Sequence, residues 1–242
     1  MIKLEELSNS LQNYPITAVI DTALCIGAGG SSGSLADKPI VRNAENNLLI
    51  PGSQLKGRLR HECEKIARGL NWPVCYSPNP QTMCPQRAGL TENFARKEYK
   101  ISESEADKHH HCLICQIFGN PVLPSCIILD DLICEEEPDN LPEVIRPGVT
   151  INRRRRTAEE DKLYFLETSP ANIQLRFAGN IYLSNAPIYA APLILAGLRH
   201  INALGGSKSA GLGWLHWELP NLPLEQAAWD FLAKGFEKDE EN

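Results

Sequence analysis

Residues 50–70 read IPGSQLKGRLRHECEKIARGL, and this stretch decides where the domain's first helix lies. Leu55, Leu59, Cys63, Ile66 and Leu70 recur at spacings of four and three, the repeat of one apolar helix face. Ser53 stands at an N-cap position, so the pattern predicts a helix starting there. Lys56 and Arg60 fall together on a different face, with Arg58 between them in the chain. Helix N-termini carry partial positive charge and unpaired N–H groups, so the backbone from Gly52 through Ser53 to Gln54 is a candidate phosphate cradle beside three cations. A solvated helix face with a serine cap explains the same residues.

Upstream, residues 14–26 (YPITAVIDTALCI) are rich in Ile, Val, Thr and Ala and read as a strand, followed by a glycine-rich loop, GAGGSSGS, at 27–34. Downstream, periodicity fails over residues 71–111, where prolines, polar residues and cysteines predict a loop-rich insertion. Residues 125–134 read as a strand. Residues 143–151 and 163–168 read as the arms of a hairpin, with Arg153, Arg154, Arg155 and Arg156 at its tip. Residues 172–183 alternate as a half-buried strand, residues 190–204 read as an apolar helix ended by Gly205, and 212–219 returns as a strand before a closing helix over 224–236. The order strand, helix, strands, helix, strand is the split βαβ pattern of a ferredoxin-like α+β domain.

A chain of 242 residues has room for one large domain with insertions. No apolar run approaches the ~20 residues that cross a bilayer, and residues 1–15 have no positive-then-apolar leader pattern. The expected location is cytoplasmic, with no membrane partner. A net charge of −6 argues against indiscriminate coating of nucleic acid, so any polyanion site must be local. The four arginines against acidic stretches at 135–139 and 237–241 fit one basic groove on an acidic surface, or a solvated loop.

Four glycines and a lysine fall within nine residues, GGSKSAGLG, at Gly205, Gly206, Ser207, Lys208, Gly211 and Gly213. The predicted order of helix, loop, strand is the reverse of a dinucleotide-binding loop, and no GxxxxGK[ST] string is present. A helix end and tight turn account for one or two of the glycines. The density favours close backbone contact with a polyanion.

Eight cysteines in a reducing compartment are either core or metal ligands. Cys112 and Cys115 form a CxxC pair, with Cys75 and Cys84 upstream and His109, His110 and His111 just before it. A CxxC alone is also a redox motif, but here the partner cysteines and the lack of a thioredoxin-like context point to a structural Zn²⁺ held by Cys75, Cys84, Cys112 and Cys115, or with a histidine in place of Cys75. Cys25, Cys126 and Cys134 lie in apolar strands and read as core.

IPGSQLKGRLR and LGGSKSAGLGW, with GLRHIN just before the second, resemble the paired signatures of the repeat-associated mysterious proteins, or RAMPs, of CRISPR systems. The likeness covers most of residues 14–219 and is greatest to the backbone subunit of type III effectors. CLICQIFG is similar to a cysteine-containing stretch of zinc-bearing members, and GAGGSSGSLADKPIVRN puts Asp37 at that family's cleavage position. By spacing alone Asp37 before Lys-Pro is a turn residue.

The resemblance implies an RRM-like core over 14–70 and 120–219, a zinc-binding insertion over 71–119, a thumb hairpin over 144–168 and a C-terminal helix with an acidic tail over 220–242. It implies a guide CRISPR RNA, a single-stranded target RNA and other effector subunits, further backbone copies among them, as partners. It further implies cleavage of target RNA with Mg²⁺ or another divalent ion. A non-catalytic architectural subunit, and an endonuclease maturing guide precursors, are the alternatives.

Overall fold

The structure, a computed structural model, describes residues 11–27, 36–79, 82–84, 111–121, 123–220 and 226–235. Along them run β1 (Leu11–Ile20), β2 (Leu49–Ile50), α1 (Gly52–Gly69), α2 (Leu113–Phe118), β3 (Ile127–Leu129), β4 (Leu132–Cys134), β5 (Val144–Asn152), β6 (Thr157–Thr168), β7 (Leu175–Ser184), α3 (Ala190–His200), β8 (Leu215–Glu218) and α4 (Gln226–Lys234). The closing helix, expected over 224–236, is thus described as Gln226–Lys234, and the acidic tail lies outside the described residues.

Apolar alternation along β1 and β7 gives the main sheet one buried face. Ile16, Ala18 and Ile20 from β1 and Phe177 and Ile181 from β7 meet Leu55 and Leu59 of α1 and Leu193 and Leu198 of α3 in one core. The strand order is β2-β4-β7-β1-β8, with β3 also on β7, and every pairing within this sheet is antiparallel. The result is a mixed α/β fold on an antiparallel sheet. Residues opposite one another share a face, so Val19, Arg176 and His216 lie on the side away from this core. There Arg176 is bonded to Glu135 at 2.9 Å and Glu218 at 2.6 Å.

β3 and β4 are two pieces of one strand along β7, and the short β2 pairs on the outer side of β4. Ile127 faces Leu183 but Ile133 faces Ala178, so the register slips by one residue at Asp130 and Asp131. This bulge receives the start of α1. The Asp131 Oδ1 accepts the Gly52 N–H at 2.7 Å, and a Cβ on Gly52 would stand 2.6 Å from the Leu129 carbonyl oxygen. Ser53 is therefore not the N-cap. Pro51 occupies that position without a side-chain bond, and the capping carboxylate comes from 79 residues away.

The second helix also ends earlier than its composition predicts. α3 stops at His200, because residues 201–204 turn to pair with the chain after the glycine loop. The Leu204 N–H donates to the Gly213 carbonyl at 2.9 Å and the Leu215 N–H to that of Asn202 at 3.0 Å. The returning strand is correspondingly shorter, as is β1 against the expected 14–26. α4 closes the domain through Phe231, whose ring stacks on Trp72 and Tyr189. Among the described residues no helix is long and apolar enough to cross a membrane.

Gly52→Ala tests the α1 docking. Backbone oxygens on the bulge leave the new methyl no room, so we expect a loss of roughly 1–3 kcal/mol in urea unfolding. Asp131→Ala, which removes only the cap, is expected to cost about 1 kcal/mol.

Candidate metal centre and nucleic-acid interface

Cys75 and Cys84 from the irregular stretch after α1 meet Cys112 and Cys115 at the start of α2. Their sulfurs all lie within 4.8 Å of one another and all four residues are buried. Cys75 Sγ is 3.5 Å from Cys115 Sγ and 3.7 Å from Cys112 Sγ. A tetrahedron of ~2.3 Å Zn–S bonds needs edges of about 3.8 Å. Four sulfurs at that spacing can bind a metal such as zinc.

Thiol donors from Cys112, Cys115 and Cys84 push Cys75 well below the ordinary thiol range. Cys84 and Cys115 are pushed up, above all by their bonds with Cys112. Cys112 is pushed down as well, above all by its bond with Cys115. Cys75 belongs to the cluster, so no histidine is needed in its place. The His111 Nδ1 instead bonds Asn120 at 2.8 Å, and His109 and His110 lie outside the described residues. Cys25 and Cys134 are buried in the core region as expected, whereas Cys126 is only half-buried, its Sγ 3.4 Å from the Gln116 carbonyl.

Arg60 joins α1 to this centre. Its guanidinium donates to the Gly119 carbonyl at 3.0 Å, to Glu64 at 3.2 Å and to Cys115 Sγ at 3.6 Å. Burial opposes its charge, but Cys115 and Glu64 more than offset that and raise its pKa. Lys56 donates to Ser125 Oγ at 2.8 Å and the Ile127 carbonyl at 3.1 Å, and burial lowers its pKa. Arg58 pairs with the buried Glu62 at 2.9 Å. The expected phosphate cradle is thus largely engaged within the protein. Gly52 N–H is capped by Asp131, Gln54 N–H bonds the Pro51 carbonyl, and Ser53 alone of the three is exposed.

A second constellation forms on a different part of the molecule. β5 and β6 pair into a long ribbon whose turn holds Arg153, Arg154, Arg155 and Arg156, all exposed. Asn152 Oδ1 shapes the turn by accepting the Arg154 and Arg155 N–H groups. Among the described residues none of the four guanidinium groups meets a carboxylate.

At the ribbon's root Asp37 is exposed, and its Oδ2 accepts the Phe165 N–H at 2.7 Å. The next residue, Lys38, bridges Leu166. Buried Glu167 then holds this segment through the Ile40 N–H at 3.0 Å and Arg42 at 3.1 Å. No motif announced Glu167 or Arg42, because their bond spans 125 positions. Residues 28–34 of the first glycine loop lie outside the described residues.

The second glycine loop abuts the same region. Leu212 packs with Ala23 and Cys25, and Leu166 of β6 covers them. Internal contacts require several of its glycines. A Cβ on Gly213 (φ +73°) would fall on the Leu204 carbonyl oxygen, one on Gly205 (φ +85°) would stand 2.5 Å from that of Cys25, and Gly211 has φ +87°. Gly206 donates its N–H to the Cys25 carbonyl at 2.7 Å. Lys208 Nζ folds back to the Gly205 carbonyl at 3.0 Å, leaving residues 206–211 exposed at the tip with Ser207 among them. The structure therefore brings Asp37, the ribbon and the glycine loop to one region, while Arg60 reaches the cysteine cluster and Lys56 bonds the chain at Ser125 and Ile127.

The family model of the RAMP superfamily matches residues 17–216, which is most of the chain and includes both glycine-bearing signatures. The chain belongs to the RAMP superfamily. A comparison with curated proteins finds no match. RAMP proteins typically bind CRISPR RNA and work in multi-subunit complexes, and some are endoribonucleases, so this RAMP's membership suggests a CRISPR-associated RNA-binding protein. Among the described residues, the four cysteines are the only group of three or more ligand side chains close enough to hold a metal ion, and Asp37 belongs to no such group.

Elemental analysis of the purified RAMP is expected to find about one zinc per chain, the content of a closed four-ligand site. Cys115→Ser should lose the metal and lower the melting temperature. Folded, metal-free wild-type protein would remove the assignment.

Proposed function

We propose that this RAMP is a backbone subunit of a type III CRISPR effector, binding guide RNA and cleaving single-stranded target RNA with Asp37 as the key carboxylate. The observation that carries the reading is Asp37 itself, an exposed carboxylate oriented by the Phe165 N–H at the root of an arginine-tipped ribbon. The strand order, with β7 between β1 and the β3–β4 strand and the β1-to-β4 path crossing through α1, agrees with a ferredoxin-like, RRM-like core. On this reading residues 71–119 are a zinc-stabilised insertion and 144–168 a thumb that grips the guide–target duplex. The four arginines supply the charge for phosphates. The tip of the second glycine loop and Lys208 form the remaining phosphate contact, with Ser53 at its edge. Lys56, Arg58 and Arg60 act mainly by holding α1.

In the chemical step the Asp37 carboxylate takes the proton from a ribose 2′-OH. The freed oxygen attacks the adjacent phosphorus in line, the bond to the 5′-oxygen breaks, the departing oxygen takes a proton from solvent water, and a 2′,3′-cyclic phosphate and a 5′-OH result. A Mg²⁺ ion, when bound, would stabilise charge on the phosphate oxygens; Asp37 offers it one ligand, so phosphate oxygens and water would supply the rest.

The bond to Phe165 also favours a second reading, an architectural subunit in which Asp37 only fastens the ribbon. Asp37→Asn separates the two, because asparagine still accepts the N–H but carries no charge. In the reconstituted guide-loaded complex with Mg²⁺, we expect target cutting to fall at least about 100-fold, within the range of a lost general base, with target binding intact. Unchanged cutting would leave an RNA-binding scaffold. Cleavage of repeat RNA by the isolated chain in chelator would instead indicate guide-precursor processing.

A further inference from the structure

Directly after the second glycine loop the chain holds out a large aromatic ring. Trp214 is 46% exposed, yet its backbone is fixed on both sides. Its N–H donates to Thr22 Oγ1 at 3.0 Å, its carbonyl accepts the Asp21 N–H at 2.8 Å, and it follows Gly213, where any side chain would strike Leu204. Two residues on, within β8, His216 falls on the same side of the extended chain, and its Nδ1 lies 3.1 Å from both carboxylate oxygens of Asp21. An ionised carboxylate only accepts, so Nδ1 carries a hydrogen and Nε2 is the ring nitrogen left for a ligand.

We propose that Trp214, His216 and Asp21 form a subsite for one unpaired nucleobase of RNA, with Trp214 as the stacking platform, His216 Nε2 at the base edge and Asp21 orienting the imidazole. A half-exposed indole on a fixed backbone is costly in water, and a base laid on it recovers that surface with no backbone ordering needed. The charges around it select a base over a phosphate. Asp21 is used by His216, while Glu218 and Glu135 flank Arg176 and are neutralised only in part, so a phosphate is disfavoured there. The phosphates are left to the exposed loop tip at residues 206–211. The inference rests on the RNA-binding reading above and is independent of cleavage at Asp37.

The test is fluorescence anisotropy of the full chain with a fluorescein-labelled, mixed-sequence single-stranded RNA, and with the same sequence as a duplex. Trp214→Ala should weaken single-strand binding roughly tenfold, the scale of one lost base stack. Trp214→Phe should retain most of the affinity. His216→Ala should weaken it several-fold, with folding checked by circular dichroism. Duplex binding, where bases are already stacked, should not respond to Trp214→Ala. Wild-type binding that both alanine variants leave unchanged, or an equal loss on duplex, would overturn the subsite and leave the RNA-binding reading standing. No binding of either RNA by wild-type chain would overturn both. A Trp214→Ala chain that binds RNA normally but fails to join its effector complex would reassign the ring to a protein interface.

Discussion

The meeting of α1 with the β3–β4 bulge determines much of the rest of the structure. The one-residue slip at Asp130 and Asp131 turns two carbonyls and one carboxylate toward the helix start, and only a glycine at position 52 lets the helix come that close. Once Gly52 N–H is bonded to Asp131, the rotation of α1 is set. Leu55, Leu59 and Cys63 then face α3 and the sheet, and Arg60 faces Gly119 and Cys115. The cluster of four cysteines thus lies beside a helix whose position the sheet dictates. Arg60 donates to one of its sulfurs, which would offset part of the net negative charge that four thiolates leave around a bound divalent cation.

A different set of bonds organises the other functional region. Residues 21–27, 36–42 and 204–213 have almost no regular structure, yet they are tied by main-chain bonds to one another and to β6. Ser169 closes the set from both sides, donating its N–H to the Leu24 carbonyl and accepting the Leu24 N–H at Oγ. Glu167 does the same for the Asp37 segment. Backbone buried between loops must find such partners, and a glutamate and a serine at the end of one strand supply them. The glycines serve this packing first. Their contribution to RNA contact is the exposed tip that the packing leaves outside.

What the sequence made legible was local. Period reading found the buried face of α1, since Leu55, Leu59 and Cys63 report directly on one helix face. CxxC spacing found the metal centre, although Cys75 and Cys84 could be joined to it only by elimination. What it missed was long-range. Ser53 looks like a cap because capping is usually local, whereas the acceptor is Asp131 in a strand. Residues 201–204 are apolar enough to extend α3, and only pairing with 213–215 turns them away. Lys56 and Arg60 look like surface cations until the chain from Gly119 to Ile127 is laid beside them. Glu167 carries no signal at all, because a glutamate in a hairpin arm is ordinary until the segment it holds is known.

The bond between Asp37 and Phe165 has a mechanical consequence. β6 extends from that point to the arginine turn over roughly 25–30 Å at the rise of a strand, so the ribbon is a lever with Asp37 at its fulcrum. A load at the tip that tilts the ribbon moves the Phe165 N–H and turns the carboxylate with it. The tilt of the ribbon and the orientation of the Asp37 carboxylate are thus linked through the Phe165 N–H.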